Sequence, residues 1–215
     1  STKANINDGG IVINGWVRQL DDHVTPSMFG AKGDGVTDDL LAFNKCTAFV
    51  KASKVKKILI LDGHYKFSDT WVIDGLQGIT VCGTSNQQML PPPPYTQHVN
   101  EYANCLLDFD SVPKDKSGIL FINFSGVAVK DLSIVYNRKV IGQTARFNAA
   151  AFNMHSGYDF NLENLKVRTD GETSGIKLGN GDAPTAVFVG RIQNCFSWNL
   201  SGWADGIAVY GASTS

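Results

Sequence analysis

Six carboxylates are spread along the C-terminal stretch of the sequence: Asp159, Glu163, Asp170, Glu172, Asp182 and Asp205. Two carboxyl groups of unequal acidity flanking one bond are what glycoside hydrolysis requires. One must be protonated to donate to the leaving oxygen, and the other ionised to act as nucleophile or base. A repeat in the sequence ranks the six. Ser174-Gly175-Ile176-Lys177-Leu178 recurs as Asp205-Gly206-Ile207-Ala208-Val209, so Asp205 stands where Ser174 stands one unit earlier. Gly171-Glu172-Thr173 aligns with Gly202-Trp203-Ala204, which sets Glu172 one unit beneath Trp203 and close to Asp205. Units stacked as β-strands are roughly 5 Å apart. One unit is therefore near the retaining separation of about 5–5.5 Å, and two units approach the inverting range of about 6.5–9.5 Å. Asp205 and Glu172, with Asp170 in the same turn, are the candidate acid/base groups. Trp203 supplies an indole that can stack on a sugar ring, and Lys177 and Tyr210 are further candidate substrate contacts.

Elimination chemistry would instead need a cation to neutralise a uronate and a base for its α-proton. Lys177, Arg168, Tyr158, His155 and Tyr210 are the available types, and they form no constellation in the sequence. Gly179-Asn180-Gly181 and Gly33-Asp34-Gly35 are not phosphate loops, because neither a Gly-Lys-Ser/Thr nor a helix-opening GxGxxG accompanies them. No nucleophile elbow is present. The four cysteines, Cys46, Cys82, Cys105 and Cys195, are scattered without CxxC spacing, so neither a metal site nor a disulfide is expected, and no cofactor is implied.

The elements that must position these groups are short strands. Val129-Lys130-Asp131-Leu132-Ser133-Ile134 aligns with Leu162-Glu163-Asn164-Leu165-Lys166-Val167 and then with Ile192-Gln193-Asn194-Cys195, so the polar member recurs at 131, 164 and 194. Units of about 30 residues without helical segments between them are the pattern of a β-helix, one coil of about three strands per unit. A propeller would need four strands and about 40 residues per blade. The expected fold is all-β, a right-handed parallel β-helix with a short N-terminal capping α-helix. Asp131, Asn164 and Asn194 should stack at one corner and satisfy turn backbone groups. Residues 1–25 read as an N-terminal arm and 26–215 as the β-helix, with 26–57 its opening motif and capping helix. Thr37 is the expected N-cap, the helix running over residues 38–53 with Ala42, Cys46, Phe49, Val50 and Ser53 on one face. Pro91 to Pro94 cannot join a ladder, so residues 84–117 read as a loop insertion. Residues 118–215 read as regular coils. Asp205 to Tyr210 starts a new coil and stops after one strand, from which a longer protein is expected.

Val24-Thr25-Pro26-Ser27-Met28-Phe29-Gly30-Ala31-Lys32-Gly33-Asp34-Gly35-Val36-Thr37-Asp38-Asp39 resembles the opening motif of the pectate-lyase-like β-helix superfamily, in the form found in bacteriophage tailspikes and capsule depolymerases. Leu61-Asp62-Gly63-His64-Tyr65-Lys66-Phe67 is similar to the strand-turn-strand that follows it there, with Leu-Asp where Pro-Ala is common. Ala204-Asp205-Gly206-Ile207 is similar to the Asn-Thr-Asp-Gly stretch of polygalacturonase-type hydrolases, departing at its first two positions. The resemblance implies a bacterial capsular polysaccharide or lipopolysaccharide as partner, depolymerase activity, a homotrimer and a virion-tail location. A non-catalytic receptor-binding or structural fibre segment, and a secreted bacterial hydrolase or lyase, are the alternatives it also implies, because this fold carries many functions.

Composition agrees with a turn-rich β domain. Charged residues are 18% of the 215, hydrophobic residues 43%, and there are 22 glycines. The net charge of −1 lacks the basic excess that nucleic-acid binding requires. No apolar run reaches the roughly 18 residues that span a bilayer, and Ser1-Thr2-Lys3-Ala4-Asn5 lacks a signal-peptide core.

Overall fold

The computed structural model describes residue 7 and residues 10–84, 105–113, 116–136, 149–169, 173–179, 187–199 and 206–209. The chain enters through a small antiparallel hairpin, β1 (Val12–Ile13) and β2 (Trp16–Val17). Asn14 and Gly15 between them both have positive φ, 51° and 79°, as the tight hairpin turn that matches strand twist demands. A 3-10 turn, Pro26–Phe29, is capped by the Thr25 hydroxyl, which accepts from the Met28 N–H at 3.3 Å.

The capping helix is α1 (Leu40–Ala52), preceded by strand β3 (Asp34–Asp38). Its N-cap is Asp39, not the expected Thr37. The physical reason is competition from Asp34. Its carboxylate accepts from the N–H groups of Val36 (2.9 Å) and Thr37 (2.7 Å) and from the Thr37 hydroxyl (2.8 Å), a local turn that holds Thr37 outside the helix. Asp39 makes no side-chain cap; its carboxylate reaches back to the N–H groups of Lys32 (2.6 Å) and Gly33 (3.1 Å), pinning the glycine-rich turn. Phe43 points into the open end of the solenoid. It meets Tyr65, Phe67 and Trp71 edge-on at centroid distances of 5.2, 4.9 and 4.9 Å.

Among the described residues five coils follow, and each lays one strand in each of three parallel sheets. Along the chain the strands are β4 (Lys57–Ile60), β5 (Gly63–Lys66) and β6 (Trp71–Asp74), then β7 (Thr80–Gly83), β8 (Cys105–Asp108) and β9 (Ile119–Ile122). Next come β10 (Phe124–Lys130), β11 (Ser133–Tyr136) and β12 (Ala150–Met154), then β13 (Gly157–Glu163), β14 (Lys166–Thr169) and β15 (Ser174–Leu178). The fifth coil is β16 (Val187–Gln193), β17 (Phe196–Asn199) and β18 (Ile207–Val209). The first sheet takes β4, β7, β10, β13 and β16; the third takes β6, β9, β12, β15 and β18; the second takes the rest, with β3 at its edge. The fold is a parallel β-helix. Strand β8 lies inside the stretch expected as a loop insertion. The prolines cannot join a ladder, but Cys105-Leu106-Leu107-Asp108 can, and it pairs between β5 and β11.

Identical registers stack like on like. On the inner face, Ile58, Val81, Val129, Leu162 and Ile192 form one rung after another in the first sheet. Trp71, Ile119, Phe152, Ile176 and Ile207 do the same in the third. The corner between the first and second sheets is turned by Asp131, Asn164 and Asn194, all left-handed with φ of 57°, 54° and 52°. Asn and Asp tolerate that region better than other non-glycine residues. The Asn164 amide also donates to the Asp131 carboxylate at 2.7 Å, tying one coil to the next. A second left-handed column kinks the first sheet at Gly126, Asp159 and Val189 (φ 61°, 56° and 48°), which explains the setting of Asp159.

Candidate functional site

A sheet buried on its inner face still offers alternate side chains outward. On the outer face of the third sheet the in-register column is Val72, Leu120, Asn153, Lys177 and Ala208. A groove of about 380 Å³ runs over its first three rungs, near the lower end of the range of about 300–1,000 Å³ for small-ligand sites. Val72 and Leu120 give an apolar floor; Asp69, Thr70, Lys116, Ser117 and His155 supply the walls, with Asn153 at one end. The walls come from the connections between the second and third sheets, and from the residue that follows β12.

The walls are held by local bonds. Lys116 Nζ lies 2.6 and 2.9 Å from the two Asp69 carboxylate oxygens. That bond holds the Asp69 carboxyl below its ordinary value, against a smaller upward push from burial. The Thr70 hydroxyl donates to the Ser117 carbonyl at 2.7 Å. The Asn153 amide donates to Ser117 Oγ at 3.0 Å, and the Ala150 N–H donates to the same oxygen at 3.3 Å. Asn153 is 2% exposed and its Oδ1 has no hydrogen-bond partner. A buried amide oxygen left unpaired costs about 1–3 kcal/mol, so this end of the groove is one donor short.

Of the residues singled out in the sequence, Lys177 is the one this column contains. It sits on the rung after Asn153 and is 1% exposed. Asp205, Glu172, Asp170, Trp203 and Tyr210 lie outside the described residues. The strands that flank Asp170 and Glu172 are β14 and β15, and those that flank Trp203 and Asp205 are β17 and β18. Both pairs are thus carried by connections from the second sheet to the third, the class of connection that supplies Asp69, Thr70, Lys116 and Ser117. Asn153 escaped sequence reasoning, although a signal existed: it is the one polar residue in the apolar strand Ala150-Ala151-Phe152-Asn153-Met154.

Two other places carry less. A groove of about 550 Å³ on the outer face of the first sheet is lined by Lys57, Thr80, Cys82, Lys130 and Asp131 among others. Two of its charged groups are engaged elsewhere, Lys57 with Asp22 at 3.5 Å and Asp131 with Asn164, and burial pushes the Cys82 thiol up. His64 Nε2 lies 2.8 Å from Asp108 Oδ2 on the second sheet. The other Asp108 oxygen accepts from the Asp110 N–H at 3.0 Å, so the pair clamps β5 to β8 and fixes the turn after β8. Among the described residues, no group of three His, Cys, Asp or Glu side chains is placed to hold a metal ion, and no helix is long and apolar enough to cross a membrane.

No protein-family model matches the sequence, and no curated protein does. Among solved structures the chain is similar to ORF18 of Geobacillus virus E2, with a TM-score of 0.48 and 16% identity over 86% of this chain and 39% of that one. It is also similar to the Agl-KA catalytic domain, with a TM-score of 0.47 and 15% identity over 94% of this chain and 37% of that one. The chain spans under two fifths of the length of either.

Proposed function

We propose that this chain binds a bacterial surface polysaccharide, a capsule or a lipopolysaccharide, along the outer face of the third sheet, as part of a trimeric tailspike-like virion protein. The observation that carries the reading is the groove over Val72, Leu120 and Asn153, an apolar floor with hydrogen-bonding walls aligned along the stacked strands. A sugar ring presents the matching surface, an apolar face and a rim of hydroxyls. Cleavage is assigned to Asp205 and Glu172, with Asp170 beside them, and saccharide contacts to Trp203, Lys177 and Tyr210.

A second reading, binding without cleavage, is favoured by the state of Asp69. Lys116 holds its carboxyl low and ionised, the opposite of what a general acid needs. Incubation with a panel of capsular and lipopolysaccharide preparations separates the readings. Reducing ends report hydrolysis, ultraviolet absorbance of an unsaturated uronate reports elimination, and surface-immobilised saccharide reports binding. Cleavage that disappears in Asp205→Asn while binding stays supports the first reading. Full turnover in that variant removes Asp205 from the chemistry, and binding without any product supports the second.

A further inference from the structure

The charges of the groove over the third sheet are already spent on each other, and its unspent polarity is an amide. We infer that this groove selects neutral sugars, bearing hydroxyl or acetamido groups, over uronates and other acidic sugars, that the Asp69–Lys116 pair sets this selectivity, and that Asn153 adds affinity for a sugar hydroxyl or amide. The inference rests on the saccharide-binding reading above and narrows it.

An acidic sugar needs a free cation. The ammonium in the wall, Lys116, is gripped by both oxygens of Asp69, at 2.6 and 2.9 Å. A uronate would have to displace that carboxylate and would then face it at close range, which like-charge repulsion opposes. The neighbouring outward rung adds another negative group, since Asp74 follows Val72 two residues on and is exposed on the same face, where it accepts from the Asn123 amide at 2.9 Å. His155 is the remaining titratable group in the wall. Lys177, one rung beyond Asn153, is 1% exposed and is not among the residues that line this groove.

A neutral sugar meets the opposite situation. Its hydroxyl and acetamido groups both donate and accept, so one of them can complete the buried Asn153 amide after a small movement of that side chain. The ring's apolar face covers Val72 and Leu120. Nothing charged has to be stripped of its partner.

The test uses the full chain and immobilised short oligosaccharides of three kinds, neutral, N-acetylated and uronate-bearing, at pH 8. The wild type should bind neutral or N-acetylated saccharides at least about tenfold more tightly than uronates, the effect of one charge-assisted hydrogen bond. Asp69→Asn, at a half-exposed position that tolerates the change, releases Lys116 and should raise uronate binding about tenfold. Asn153→Leu should lose about tenfold on neutral saccharides. Because Asn153 is buried, the binding of that variant is read below its own unfolding transition, and Asp69→Asn carries the decision if it does not fold. Uronates bound best by the wild type, or no gain for uronates in Asp69→Asn, overturns the selectivity while leaving saccharide binding standing. No saccharide of any kind bound by either protein overturns both this inference and the functional reading.

Discussion

Replacing Asn164 separates two reasons for having asparagine at a coil corner. The residue is left-handed, with φ of 54°, and its amide donates to the Asp131 carboxylate at 2.7 Å. Asn164→Ala loses the bond and keeps the strained backbone. Asn164→Gly loses the same bond and relieves the strain. The half-buried bond contributes about 1 kcal/mol, and a left-handed alanine costs about 1–2 kcal/mol. Glycine avoids that cost but gives back about 0.5–1 kcal/mol through its greater freedom in the unfolded chain. Alanine should therefore destabilise by about 2–3 kcal/mol and glycine by about 1.5–2, a gap of roughly 0.5–1. At about 2–4 °C per kcal/mol for a chain of this size, the gap is a few degrees in Tm. Urea titration at equal slope, with thermal melts beside it, measures both. If alanine is as stable as glycine, the left-handed corner is not what Asn164 is there to make.

Val189 is a β-branched residue at φ 48° and 78% exposed, so Val189→Gly should stabilise the fifth coil by about 1 kcal/mol, read as a rise in the urea midpoint; a fall would show that Val189 is not strained. Burial pushes Asp108 up, but the His64 hydrogen bond, the Asp110 N–H and the charges of His64 and Lys66 together hold it below its ordinary 3.8. Its stabilisation is thus present above that value and lost as pH falls through the lower folded value, so Asp108→Asn should flatten the loss of stability in acid melts below pH about 4. Burial pushes the thiols of Cys46 and Cys105 up to about 12, so neither should react with iodoacetamide in the native protein at mildly alkaline pH, while both react in urea; mass spectrometry of the labelled peptides decides.

The architecture was legible because a solenoid repeats its own evidence. Asp131, Asn164 and Asn194 recur at nearly constant spacing, and each turns the same corner. The opening motif was legible as a unit, but its internal bonds were not. Thr37 looks like an N-cap by type, and only the three-dimensional reach of the Asp34 carboxylate takes it away from the helix. The groove was hidden for a related reason. Val72, Leu120 and Asn153 are adjacent in space, yet the stretch between β7 and β8 and the one between β8 and β9 break the interval that would have aligned them. A count of repeats over residues 118–215 could not extend back to Trp71–Asp74. Hydrogen bonding exposed Asn153, since an unpaired buried oxygen has no signature in residue type alone.

The corners differ in what they allow to change. Asp131-Leu132, Asn164-Leu165 and Asn194-Cys195 each turn the first sheet into the second in two residues. An insertion of one residue there would shift the phase of the strand that follows, sending its core side chains to solvent. The passages from the second sheet to the third, residues 67–70, 109–118 and 137–149, differ in length while the rungs on either side stay in register. Variation can accumulate in these passages without being felt by the solenoid, and the first two of them supply Asp69, Thr70, Lys116 and Ser117 to the walls of the groove. In the third to fifth coils the chain thus keeps time at the first corner, although residues 84–104 separate β7 from β8 at the same corner of the second coil, and it is free to improvise at the passage into the third sheet, so the wall of the groove can be exchanged, segment for segment, on an unaltered frame.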